Sequence, residues 1–61
     1  MNHKFVLQFR CDNDAFAVMP EAEVARILRD LADQIEQGFV FVYLRDANGN
    51  TVGTATFVEE E

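Results

Sequence analysis

Residues 20–38, PEAEVARILRDLADQIEQG, constrain the fold more than any other stretch of the chain. At about 100° per residue, Val24, Ile27, Leu28, Leu31 and Ile35 fall on one side, flanked by Ala25 and Ala32. Glu23, Arg26, Asp30, Asp33 and Gln37 fall on the other. A helix with such a stripe must lie on an apolar surface. Its ends are marked as well. Pro20 suits the first turn, where a missing N–H costs nothing. Glu21 and Glu23 sit where the helix dipole favours negative charge, and Gly38 suits the residue after the C-cap.

The surface beneath this helix has to come from the β-type runs on either side. Residues 4–11, KFVLQFRC, alternate, with Phe5, Leu7, Phe9 and Cys11 on one face and Lys4, Val6, Gln8 and Arg10 on the other. Asp12-Asn13-Asp14 ends that strand, because short polar side chains compete for local backbone groups. Phe16, Val18 and Met19 are expected to cover an open end of the core. Residues 39–46 and 51–59 read as two further strands joined around Asn48-Gly49, a strong hairpin signal because both residues tolerate positive φ. With those two as the loop, Val40, Val42 and Leu44 face Phe57, Ala55 and Gly53. Phe39, Phe41 and Tyr43 then face Val58, Thr56 and Thr54 on the opposite side.

Gly53 and Ala55 are small enough to admit a helix, so it is expected over Val40, Val42, Leu44 and Phe57, with Phe5, Leu7 and Phe9 completing the layer. The fold class is therefore α+β, a single domain of β-α-β-β topology. The helix spans about 20–37, and the first two strands run parallel through a right-handed crossover. The most apolar strand, 39–44, is expected in the middle of the sheet. One side of the sheet then stays uncovered and carries Phe39, Phe41, Tyr43, Val52 and Val58, with Val6, Gln8, Arg10, Arg45, Thr54 and Thr56 around them. An isolated antiparallel sheet normally turns a polar face outward, so contiguous rings here mark a contact surface. Two alternatives stay open: residues 11–20 or the C-terminal tail folding over that face, or a register slip of one residue exchanging the faces.

Size and charge narrow the function. A chain of 61 residues buries only about 60% of its unfolded surface and often leans on a disulfide, a metal or a partner. Cys11 is the sole cysteine and no Cys/His cluster exists, so neither an internal disulfide nor structural zinc is expected. Self-association remains. The net charge of −6 opposes phosphate backbones and anionic lipid. No run is apolar enough to span a membrane, and no signal-peptide h-region is present, so the expected location is a reducing cytoplasm.

Candidates for chemistry are few. His3 sits near a terminus expected to fray, and Cys11 reads as a small buried side chain rather than a nucleophile. Asp46-Ala47-Asn48-Gly49-Asn50 faintly resembles the opening of a calcium loop. Phe57, however, holds the position where an EF-hand needs glutamate, and a turn is the expectation. Arg26 and Arg29 are matched by Glu23, Asp30 and Asp33 at helical spacing, as on a solvated face. The run Glu59-Glu60-Glu61 is too short and too terminal for mimicry of DNA, and reads as solubilising charge. No catalytic set, cofactor or metal site is expected, and the chain is read as not an enzyme.

The segments CDNDAF (11–16), EVARILRDLADQIEQG (23–38) and LRDANGNTVG (44–53) resemble a group of small orphan proteins encoded by bacteriophages and prophages of proteobacteria. Their pattern is roughly DN-x-AF, E-x-ARILR-x-LA and RD-x-NGN-x-VG. The resemblance implies a phage accessory protein acting in the bacterial cytoplasm, and transfers no activity and no catalytic residues. Small phage proteins of this kind often block a host enzyme or defence complex, as anti-CRISPR proteins do. The expected function is thus protein–protein contact by steric occlusion through Phe39, Phe41, Tyr43, Arg45, Val52, Thr54 and Val58. The expected partner is a second copy, in a homodimer through the open sheet face, or a host protein. The alternative is single-stranded nucleic acid stacked on the aromatic face with Arg10 and Arg45 on phosphate, which the net charge disfavours.

Overall fold

The computed structural model describes residues 2–60, and of Asn2 and Glu60 the backbone alone. Strand β1 (Asn2–Phe9) is followed by a single 3-10 turn (Asp14–Phe16), helix α1 (Pro20–Glu36) and strands β2 (Phe41–Arg45) and β3 (Thr51–Glu60). The fold is α+β, one helix on a three-stranded sheet with strand, helix, strand, strand in chain order.

The helix forms where its stripe demands. Ile27 and Leu31 are buried, with Val24 and Ile35 packed against the same core. Pro20 occupies the first turn, and Met19 before it offers no side-chain cap. The other end closes on Gly38, whose φ of 100° is open to glycine at little cost. Gly38 donates its N–H to Ile35 O at 3.0 Å, and Phe39 donates to Gln34 O at 3.2 Å. This is the paired closure of a Schellman motif. Phe39 is therefore spent on ending the helix, and β2 starts two residues later than the expected strand 39–46.

The sheet order is β1-β3-β2, with both pairings antiparallel. The aromatic strand β2 is thus an edge and not the centre, which corrects the expectation drawn from its apolar content. Strands β1 and β2 run in the same direction but are separated by β3. Gly53 explains why β3 takes the middle. A Cβ there would lie 2.0 Å from Gln8 O and 2.5 Å from Phe9 Cα. Only a glycine lets β1 come so near on one side while Leu44 of β2 pairs on the other.

The hairpin register holds from Phe41↔Thr56 to Leu44↔Gly53. Phe57 donates its N–H to Val40 O at 3.0 Å, so the Val40–Phe57 alignment also stands. Nearer the turn it changes. Arg45 pairs with Thr51, so Val52 has no partner on β2 and forms a bulge. Asp46 donates to Asn50 O at 2.9 Å and Gly49 to Asp46 O at 3.0 Å. The loop therefore has three residues, 47–49, with Gly49 at φ 85° and Asn48 at negative φ. A three-residue loop closed by a left-handed glycine replaces the expected two-residue Asn-Gly loop.

The buried core is Phe16, Ile27, Leu31, Val42, Leu44 and Ala55, joined at its margin by Phe9 and Val52. Phe16 caps it, as expected, from the 3-10 turn that Asn13 starts by accepting the Ala15 N–H at 3.0 Å. Val18, 89% exposed, and Met19 stand in solvent and cover nothing. Cys11 is exposed rather than buried. His3 lies within β1 opposite Glu59, not in a frayed end. Glu59 and Glu60 belong to β3, while Glu61 lies outside the described residues.

Candidate protein interface

The alternation along β2 divides its side chains cleanly. Val42 and Leu44 are buried under the helix, while Phe41 and Tyr43 point the other way and are 47% and 59% exposed. Their rings meet edge to face, with centroids 5.0 Å apart and planes at 90°. That arrangement suits the ring quadrupoles and holds the pair as one raised feature. Thr56 stands opposite Phe41 and Thr54 opposite Tyr43, both half-buried on the central strand. Beyond them Val6 faces Thr56 and Val58 faces Lys4, and both valines are exposed. Arg45 is exposed at the rim.

Two of the expected contact residues change place. Val52, lifted out of register by the bulge, packs against the core and leaves the outer face. Phe39 is exposed but belongs to the closing turn of the helix, outside β2. Phe41, Tyr43, Arg45, Thr54 and Val58 remain as the outer face.

The other side of the sheet holds a surface that sequence reasoning placed under the helix. The helix packs on the 3-10 turn and on β2, so the far half of the β1–β3 ladder runs on uncovered. Phe5, Leu7, Phe57 and Val40 are all exposed there. The Phe5 and Phe57 rings, directly opposite in the ladder, lie 5.0 Å apart. The signal was length: a strand of 8 residues and one of 10 outreach a helix seated at their hairpin end.

Between helix and turn lies a polar junction, also unforeseen. Asp46, 4% exposed, accepts the N–H groups of Asn48 and Asn50, both at 2.9 Å, and the Asn13 side-chain amide at 2.5 Å. Glu23, expected on the solvated face, is 8% exposed. It receives Arg26 through two bonds of 3.1 and 2.8 Å and the Ala47 N–H at 2.7 Å. Arg26 also donates to Arg45 O at 3.0 Å and to Asp30 at 2.9 Å. The Arg26 guanidinium beside Glu23 holds its carboxyl below the usual range, against the opposing effect of burial. Burial alone would push the Asp46 carboxyl up, but the bonds from Asn50, Asn13 and Asn48 outweigh it and the net shift is downward. The Arg26 guanidinium is raised by its bond to Glu23.

This junction ties the helix to the hairpin turn. Its acceptors are filled by N–H donors of the chain itself, and no buried side-chain polar atom among the described residues lacks a partner. No group of three potential metal ligands occurs among the described residues. The groove between the helix and β2, lined by Arg26, Asp30, Gln34 and Tyr43 among others, holds about 240 Å³. A second hollow, lined by Gln8, Phe9, Arg10, Val52 and Gly53, holds about 330 Å³, at the lower end of the roughly 300–1,000 Å³ of small-molecule sites. Asn13, Glu23, Arg26, Asp46, Asn48 and Asn50 come from three separate segments, 11–16, 23–38 and 44–53, which meet in this one knot. Among the described residues no helix is long and apolar enough to cross a membrane. No protein-family model, curated protein or solved structure matches this chain.

Proposed function

We propose that this chain is a non-enzymatic protein-contact module whose working surface is the outer sheet face. Phe41 and Tyr43 are its anchors, Thr54, Thr56 and Val58 its floor, and Arg45 its rim. The observation that carries this reading is the paired rings of Phe41 and Tyr43, half-exposed on the side of the sheet away from the helix. Fixed aromatic side chains with few rotatable bonds are the groups most often found at the energetic centre of protein interfaces. The resemblance to phage and prophage proteins supplies the setting: the cytoplasm of an infected bacterium, with a host enzyme or defence complex occluded by contact. The same rings are equally able to stack on a second copy, the partner the sequence favours.

The double substitution Phe41→Ser/Tyr43→Ser tests this directly. Both side chains lie outside the core, so the variant is expected to fold as the parent does. It should lose the host protein that the parent captures from a native lysate, identified by mass spectrometry; loss of a dimeric mass as well would mark a second copy as the occupant of this face. A folded double variant that keeps the captured protein would sink the reading. Single-stranded nucleic acid is the competing partner. Saturable binding of single-stranded DNA that weakens steeply with salt would favour it. Arg10, one of the two cations it needs, already lies 3.5 Å from Asp12.

A further inference from the structure

The two edges of the sheet are treated differently. The edge of β2 is five residues long, broken by the bulge at Leu44/Arg45, and crossed by Arg26, which donates from the helix to Arg45 O. Charged side chains, short length and bulges are the usual protections of an edge. The edge of β1 carries a single charged side chain among the described residues, Lys4, and is neither short nor bulged. It runs eight residues without proline or a bulge, and its one substantial element contact among the described residues is with β3.

The backbone groups on that edge can be assigned. Arg10 donates its N–H to Val52 O at 3.0 Å, so at two-residue steps Gln8, Val6 and Lys4 also bond toward β3. Phe5, Leu7 and Phe9 therefore turn their N–H and C=O groups outward. Their side chains lie on the helix side, next to the uncovered Phe57. An unpaired ladder and an unpaired apolar patch thus share one border.

We propose that a second copy of this chain pairs along β1, antiparallel about a two-fold axis at Val6, to make a six-stranded sheet. In that register Phe5 of each copy stands opposite Leu7 of the other, so the patch is continued by its own image. Lys4 stands opposite Gln8, and no like charges are paired. Residues 2–11 contain no Asp or Glu in a chain of net charge −6, so this strand is where two acidic copies approach with least carboxylate repulsion. The exposed area leaves room for such a partner. A compact monomer of 7.0 kDa exposes about 4,000 Å², whereas this chain exposes 4552 Å². The excess of about 550 Å² is about two-thirds of the roughly 800 Å² that each partner buries in a standard interface. Such pairing leaves both aromatic outer faces free and on the same side of the enlarged sheet, and so stands independently of their role.

The solution mass of the full chain and three kinds of variant test it. The parent is expected at twice 7.0 kDa. Leu7→Pro removes an outward N–H and no bond to β3, and should halve the mass with the circular dichroism of the fold retained. Val6→Lys and Val6→Glu place like charges at the axis, so each alone should be monomeric and an equimolar mixture should recover the dimer. That mixture decides the matter even if Leu7→Pro fails to fold. A monomeric parent overturns the proposal, as does a dimer indifferent to both Val6 variants. A dimer lost on Phe41→Ser/Tyr43→Ser alone also overturns it, because the copies would then meet face to face.

Discussion

At Gly53 the sheet has no space for a methyl group. The atoms that a Cβ would meet are Gln8 O and Phe9 Cα, both backbone, so neither can swing aside. Gly53→Ala is therefore expected to prise β1 from β3 and cost about 1–3 kcal/mol or more. A urea titration showing less than half of that would mean the strands can separate without loss. The polar junction makes a second residue-scale prediction, about acid. Glu23 and Asp46 both have folded-state pKa values below their ordinary 4.5 and 3.8. The stability they contribute is present in full above those ordinary values and drains away as pH falls through the lower folded ones. Denaturant midpoints should hold from neutrality down to about pH 5 and decline below it. In Glu23→Gln/Asp46→Asn the decline should be shallower, and parallel curves for parent and variant would remove the junction from the account of acid unfolding.

Among the elements, the helix and the hairpin were legible and the strand order was not. Periodicity marked α1, because only one side of a helix can reach a core of this size, and Pro20 and Gly38 marked its ends. The pairing of β2 with β3 rests, in the sequence, on Asn48-Gly49 as a two-residue loop. The loop has three residues, and Val42↔Ala55 and Leu44↔Gly53 still hold because the bulge at Val52 takes up the extra residue. Apolar content misled about the centre of the sheet. Phe41 and Tyr43 measure how much surface wants covering, while the strand that must accept neighbours on both sides carries Gly53, Ala55 and threonines. The side of the sheet away from the helix was legible for Phe41, Tyr43, Arg45, Thr54 and Val58. Alternation failed at Val52 because a bulge is a backbone event with no pattern of its own, and at Phe39 because ending the helix claimed its N–H. Amide exchange reads the same ladder. In a lone chain Val6 and Gln8 are protected by β3, while Phe5 and Leu7 exchange freely. Pairing along the β1 edge should bring Phe5 and Leu7 into the protected set, and an odd–even pattern persisting at high concentration would count against it.

On the scale of the whole molecule the chain is long and thin for its mass. Its radius of gyration is 12.6 Å, against about 10.5 Å for a compact 61-residue domain. Six hydrophobic side chains are buried, while twelve large ones are exposed among the described residues. So small a core leaves little surplus over the conformational entropy lost on folding. On the proposed pairing, association adds to the stability of the fold, because a neighbouring copy would cover apolar area that the single chain leaves exposed. The consequence is measurable without knowing any host partner. For a folded dimer in equilibrium with unfolded chains, each tenfold rise in concentration adds about 1.4 kcal/mol to the apparent stability. For two chains of this length that raises the melting temperature by on the order of 5 °C. Leu7→Pro should abolish the dependence, since its melting would involve one chain only. Phe41→Ser/Tyr43→Ser should preserve it, since the edge is untouched. A parent whose melting temperature stays constant across a hundredfold range of concentration would show a core sufficient in a single chain, and the exposed rings on both faces would then need a partner other than self.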